Sequence, residues 1–183
     1  MKVVMIGAGY VGLVSGACFA EFGASVTCVD VIKEKIDALQ QGNIPIYEPG
    51  LAQLVAKNVE AGRLAFSTAL ADEIPAADIV FIAVGTPTRR GDGHADLTYV
   101  YEAAKNIATY LEGYTVIVNK STVPVGTAAQ VSRIIAETNP DVDYSVASNP
   151  EFLREGAAIG DFMRPDRVVL GVEDDRAEAK LRE

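Results

Sequence analysis

Glu151 and Glu155 stand four residues apart in Ser148-Asn149-Pro150-Glu151-Phe152-Leu153-Arg154-Glu155-Gly156, with Arg154 between them. A carboxylate withdrawn from water in a cleft has its pKa raised toward neutrality, where it serves as a general base. The plainer reading is a solvated turn, with Arg154 paired to Glu151 three positions back and Glu155 in water. The segment follows an apolar run at 144–147, so these charges sit at the end of a strand. What they can do depends on what the other strand ends deliver.

The run at 78–84 ends in Gly85-Thr86-Pro87-Thr88, and the run at 115–119 in Lys120-Ser121-Thr122. Thr86, Ser121 and Thr122 are each compatible with ordinary turn or cap positions. Gathered at one edge with Asn149 and two glutamates, they read as a site. The first strand end is the most explicit. Gly7-Ala8-Gly9-Tyr10-Val11-Gly12 fits G-x-G-x-x-G between an apolar strand and a helix whose apolar positions are Val11, Val14, Cys18 and Phe22. Gly7 permits the tight turn, Gly9 lets the backbone approach a pyrophosphate, and Gly12 allows close packing of helix on strand. The helix N-terminus offers amides and partial positive charge to the phosphates. Asp30 ends the second strand, eighteen residues past Gly12. A carboxylate there accepts from adenosine ribose hydroxyls and repels a 2′-phosphate, which favours NAD over NADP. Lys35 either reaches the same ribose or is a solvated helix lysine. His94, in a Gly- and Asp-rich loop with Arg89 and Arg90, reads as a solvated loop residue rather than a base.

The elements that must position these residues alternate. Strands are expected at 2–6, 25–29, 63–66, 78–84, 115–119, 144–147 and 167–172. Helices are expected at 10–22, 32–41, 51–61, 97–111 and 127–138. Near-continuous runs such as Asp78-Ile79-Val80-Phe81-Ile82-Ala83-Val84 imply strands buried on both faces. The expected fold is therefore α/β: a doubly wound, mainly parallel Rossmann-type sheet with helices on both faces. In such sheets ligands lie outside the carboxyl ends of the strands.

The chain has 183 residues, 49% hydrophobic and 22% charged, enough for one domain. A net charge of −9 argues against nucleic acid or an anionic membrane as principal partner. No run approaches the ~20 apolar residues of a membrane helix. Cys18 and Cys28 read as small buried hydrophobes, consistent with a reducing cytoplasm. No metal is expected. The last stretch, Glu173-Asp174-Asp175-Arg176-Ala177-Glu178-Ala179-Lys180-Leu181-Arg182-Glu183, reads as an acidic helix start without an apolar face, which suggests the first domain of a longer protein.

The motifs GAGYVGL, VDVIKEKI, PIYEPGL, VGTPT, KSTVPVGT, NPEFLREG and RPDRVVLG, in this order, closely resemble the N-terminal, NAD-binding part of the UDP-glucose/GDP-mannose dehydrogenase family. PIYEPGL and KSTVPVGT are most similar to its UDP-glucose branch. The resemblance implies oxidation of UDP-glucose to UDP-glucuronate with two NAD⁺ in succession, through a cysteine thiohemiacetal and thioester. GDP-mannose and UDP-N-acetyl-sugar oxidation share much of the pattern. A β-hydroxyacid dehydrogenase or a non-catalytic NAD-binding module are the remaining readings.

Carried over by match, Gly7, Ala8, Gly9, Tyr10, Val11 and Gly12 hold the pyrophosphate, and Asp30 with Lys35 the ribose. Thr86 and Ser121 line the cofactor. Thr122 bonds a catalytic water or the reacting oxygen, and Glu151 is the general base. Glu155 meets the nicotinamide side, and Phe152, Leu153 and Arg154 touch the sugar nucleotide. The resemblance also places the nucleophilic cysteine, a central helix and the sugar-nucleotide domain C-terminal to residue 183. It implies a homo-oligomer for the longer enzyme, and NAD binding without turnover for residues 1–183 alone.

Overall fold

The computed structural model describes residues 1–89, 91 and 93–183; Arg90 lies outside the described residues. Among the described residues six strands, β1 (Lys2–Ile6), β2 (Ser25–Val29), β3 (Leu64–Ser67), β4 (Ile79–Ile82), β5 (Thr115–Asn119) and β6 (Tyr144–Ser148), form one sheet. Its order is β3-β2-β1-β4-β5-β6, and every neighbouring pair is parallel. The order reverses between β1 and β4, the switch point at which a doubly wound sheet opens a crevice.

The helices are α1 (Tyr10–Glu21), α2 (Lys33–Gln40), α3 (Leu51–Glu60), α4 (Leu70–Glu73), α5 (Thr98–Tyr110), α6 (Thr127–Thr138), α7 (Ala158–Met163) and α8 (Asp175–Arg182). Alternate strand residues feed two cores. Val3, Met5, Cys28, Phe81, Val116 and Val118 pack with α1, α2 and α3 on one face. Val4, Val80, Ile82 and Ile117 pack with α5 and α6 on the other. This two-sided burial is why the central strands read as unbroken apolar runs. No helix among the described residues is long and apolar enough to cross a membrane.

Three expectations need correction. The run at 167–172 is not a strand of the sheet: it meets β6 only through one antiparallel bridge, Ser148 with Gly171. Val168 and Val169 are exposed there, so their apolarity carried a strand signal without burial. Helix α1 is buried almost all round from Gly12 to Cys18, because α3 and α7 press on it, while Phe22 is 60% exposed. The predicted four-position stripe was too narrow. Finally, α8 does have an apolar face, and its N-terminus is capped. Asp174 accepts from the Arg176 amide, Ala177 is buried, and Leu181 packs on the first core. Lys180 reaches Asp78 at 2.8 Å, below β4.

Candidate cofactor and substrate site

The glycine loop is shaped by two close approaches. Gly7 takes φ +101°, and a Cβ on it would meet the Ala83 carbonyl oxygen at 2.6 Å. A Cβ on Gly12 would lie 1.8 Å from the carbonyl oxygen of Gly7. The close contact made by Gly12 is therefore with the loop itself, more than with the strand. Gly9 differs: a Cβ there would meet nothing within 4 Å. Gly9 also caps α1 without any side-chain hydrogen bond. The first intrahelical bond runs from the Leu13 amide to the Gly9 carbonyl at 2.9 Å, so the amides of Tyr10, Val11 and Gly12 precede the helical ladder. Open space over bare amides at a helix N-terminus suits a pyrophosphate.

Asp30 is buried and heavily engaged. Its Oδ2 accepts from the Ala8 amide at 2.9 Å and from the Lys35 ammonium at 2.6 Å, and its Oδ1 accepts from the Ile32 amide at 3.0 Å. Burial pushes its pKa up, but the Lys35 ammonium and the two amides outweigh burial and hold it below the usual carboxylate range. The carboxylate therefore stays ionised and Oδ1 keeps acceptor capacity for a hydroxyl. Lys35 is bound to Asp30 itself, so the solvated-lysine reading does not hold.

On the far side of the switch point, hydrogen bonds stitch the loops after β4 and β5 together. Buried Ser121 donates to the carbonyl oxygen of Val84 at 2.7 Å. Thr86 donates to the Thr122 carbonyl at 3.3 Å, and Thr122 itself is exposed. His94 is exposed, in a loop turned back by the bridge between Thr88 and Ala95.

The segment after β6 lines a cleft of about 750 Å³ together with Lys120, Asn149 and Phe162. Glu151 is half-buried, and its Oε2 accepts from the Leu153 amide at 2.6 Å. Arg154 does not pair with Glu151. It is exposed and forks onto Asp161, with Nη2 to Oδ1 at 2.7 Å and Nε to Oδ2 at 3.1 Å. That contact holds the Asp161 carboxyl down at about 2. Phe152 is exposed beneath the Arg167 guanidinium, Leu153 packs on the core, and Glu155 is exposed.

Two residues gain importance that sequence reasoning gave them no role for. Lys120 is buried, donates to Asn149 Oδ1 at 3.0 Å, and lies 5.6 Å from the Phe162 ring centroid. Burial pulls its pKa down to about 8, against the opposing attraction of Glu151. Glu48, within PIYEPGL, is buried and bonded to Tyr10, Gly156 and Ala158. A glutamate between apolar and proline residues gave no spacing signal of its own. Cys18 and Cys28 are fully buried, and burial pushes both thiols up to about 12. Among the described residues, no group of three or more His, Cys, Asp or Glu is placed to hold a metal.

The Asp30 network sets a pH dependence. Its folded pKa lies below the unfolded value of about 3.9, so its stabilisation is complete above that pH and fades as pH falls through the folded value. Asp30→Asn is expected to lower stability by about 1–3 kcal/mol near neutrality, by misfitting the Ala8 and Ile32 amides. Urea unfolding from pH 7 to pH 2 checks this: the gap between the two proteins should narrow below pH ~4. A gap constant with pH would show that the carboxylate charge contributes nothing.

The whole of residues 1–183 matches the model of the UDP-glucose/GDP-mannose dehydrogenase family, NAD binding domain. A UDP-glucose 6-dehydrogenase of Rhizobium meliloti is 64% identical over 180 residues, which are 98% of this chain and 41% of that protein. The solved UDP-glucose dehydrogenase of Pyrobaculum islandicum superposes with a TM-score of 0.94 at 43% identity, covering 98% of this chain and 42% of that one. A GDP-mannose dehydrogenase of Pseudomonas aeruginosa, solved as a ternary complex, gives 0.95 at 35% identity over 100% of this chain and 43% of that one. The chain thus spans about two fifths of the length of the relatives it matches. A glycine loop with bare amides, an ionised acid at the end of the neighbouring β2 and a sheet whose order reverses beside that loop, between β1 and β4, are what such a domain requires, and the chain belongs to the UDP-glucose/GDP-mannose dehydrogenase family as its NAD binding domain.

Proposed function

We propose that these residues form the cofactor domain of a longer nucleotide-sugar dehydrogenase, one that oxidises the primary alcohol of UDP-glucose to the carboxylate. The observation that carries this is the convergence, at one sheet edge, of the bare α1 amides, ionised Asp30 and the loop after β6 that bears Glu151, which Glu48 ties to Tyr10 through Gly156. The 64% identity to a UDP-glucose 6-dehydrogenase favours UDP-glucose over GDP-mannose as substrate.

In this reading the glycine loop from Gly7 to Gly12 holds the pyrophosphate through the bare amides of Tyr10, Val11 and Gly12, while the Ala8 amide stays on Asp30, and Asp30, braced by Lys35, accepts from the ribose hydroxyls. NAD⁺, when bound, supplies a hydride acceptor. Thr86 and Ser121 shape the wall on which the cofactor's reactive half rests, and Ser121 fixes that wall by its bond to Val84. Thr122 offers a hydroxyl to the reacting oxygen or to a water. Glu151 takes the proton that leaves the alcohol or that water. Phe152, Leu153 and Arg154 meet the sugar nucleotide, with Arg154 held in place by Asp161, and Glu155 meets the nicotinamide side.

The covalent stage of the reaction needs a thiolate, which neither cysteine here supplies. Both thiols are buried and remain protonated through the neutral range. The nucleophile is therefore assigned to sequence outside these residues, and residues 1–183 alone bind NAD⁺ without turning over UDP-glucose.

The full-length enzyme tests the reading. With UDP-glucose it should form NADH at a rate well above that with GDP-mannose or UDP-N-acetyl sugars. Glu151→Gln should lower kcat by about 10²–10⁴-fold while leaving the Kd for NAD⁺ within about threefold, the range expected for loss of a general base. Undiminished turnover in that variant would remove Glu151 from proton transfer, and no UDP-glucose-dependent NADH in the wild type would remove the substrate assignment.

A further inference from the structure

Glu48 belongs to none of the roles above, yet it is one of the most constrained carboxylates in the molecule. It lies in the connection between α2 and α3, where Tyr47 is 86% exposed and Glu48 only 6%. Gly50, at φ +83°, ends that connection and starts α3. An ionised group so withdrawn from water persists only when its oxygens are saturated by donors. Here Oε2 accepts from the Tyr10 hydroxyl at 2.5 Å and from the Gly156 amide at 2.7 Å, while Oε1 accepts from the Ala158 amide at 2.9 Å. Burial pushes its pKa up, but Tyr10 and the amides of Gly156, Ala158 and Ile159 outweigh burial and keep the carboxyl ionised. Its partner responds in the opposite sense, since burial and Glu48 push the Tyr10 phenol up to about 12 and keep its proton in place.

The partners come from two halves of the site. Tyr10 is the first residue of α1, inside the glycine loop. Gly156 ends the segment that carries Glu151 and Glu155, and Ala158 opens α7, which carries Asp161. One oxygen atom, Oε2, thus bonds to both the cofactor loop and the loop after β6. The two loops belong to strands β1 and β6, which are not neighbours in the sheet. Strand pairing therefore does not fix one loop against the other.

We propose that Glu48 is a positioning residue. Through Tyr10 and the Gly156 and Ala158 amides it sets the distance between the cofactor loop and the loop bearing Glu151 and Glu155, and so the placement of substrate against nicotinamide. This rests on the function proposed above, because the kinetic consequence needs that reaction; the mechanical consequence does not. A purely structural carboxylate would affect turnover only in proportion to the fraction of folded enzyme. A positioning carboxylate alters kcat in a fully folded, fully cofactor-bound enzyme.

The test is Glu48→Gln in the full-length enzyme. The amide group keeps the size but presents an NH₂ where donors already point. Amide exchange at Gly156 and Ala158 should rise by about tenfold or more, the equivalent of one modest hydrogen bond. The Kd for NAD⁺ should stay within about threefold, and kcat for UDP-glucose should fall by roughly 10–100-fold, the scale of a misplacement near 1 Å. Unchanged exchange at those two amides overturns the proposal. So does raised exchange with undiminished kcat, or a loss of NAD⁺ affinity and melting temperature in step with kcat. If Glu48→Gln does not fold, Tyr10→Phe removes one donor and leaves the carboxylate held by backbone amides. It should raise exchange at Leu13, the first bonded amide of α1, and leave that of Val131, in α6, unchanged, and an unaltered Leu13 there also overturns the proposal. A wild-type enzyme inactive on UDP-glucose would sink the proposed function instead, leaving the exchange result to decide the role of Glu48.

Discussion

A single contact between the backbone of Gly7 and Cα of Gly12 governs the arrangement, because a Cβ at position 12 would lie 1.8 Å from the Gly7 carbonyl oxygen. No side chain fits there. The first turn of α1 is thereby held against the end of β1, with its amides directed to the edge where the sheet order reverses. Had the helix stood a methyl group further away, Ala8 could not donate to Asp30 at 2.9 Å, and the acid at the end of β2 would lose one of its anchors. The cofactor half of the site is a consequence of that packing.

The other half is held less by sheet geometry than by polar ties between loops. Ser121 fastens the β5 loop to the end of β4, Lys120 fastens Asn149, and Asp161 fastens Arg154. These bonds lie just beyond the last paired residues of β4, β5 and β6, where only single backbone bonds from the Lys120, Ser121 and Asn149 amides continue the ladders. Buried polar groups gain from such mutual satisfaction and suffer when one member is lost, so the chemistry-bearing loops are ordered by the same groups that line the cleft.

What was legible in the sequence follows this division. The strands β1, β2, β4 and β5 were readable because two-sided burial imposes continuous apolar runs, and the edge strands β3 and β6 with five of the helices because alternation imposes order. Gly7, Gly12 and Asp30 were readable because steric and electrostatic demands leave few residue choices there. The Lys35 bond to Asp30 was only half readable, since a lysine one turn into a helix is as easily solvated. The plainer alternative, Arg154 paired with Glu151, rested on helical spacing. The chain is not helical at that point, and the six-residue α7, too short for a periodic signal, brings Asp161 to the guanidinium instead. Glu48 was invisible for a similar reason: its partners lie 38 and 108 residues away. The run at 167–172 misled in the opposite direction, with valines that look like a strand yet face solvent.

The proposed function has one groove, along the carboxyl edge of the sheet, receive the dinucleotide with its adenosine ribose at Asp30 and its reactive ring beside Thr122 and Glu151. A crystal structure with NAD⁺ bound tests this most directly. Phosphate oxygens are expected within hydrogen-bond reach of the amides following Gly9, a ribose hydroxyl on Asp30 Oδ1, and the nicotinamide next to Thr122. NAD⁺ bound elsewhere, or bound with the glycine loop and Asp30 untouched, would contradict it.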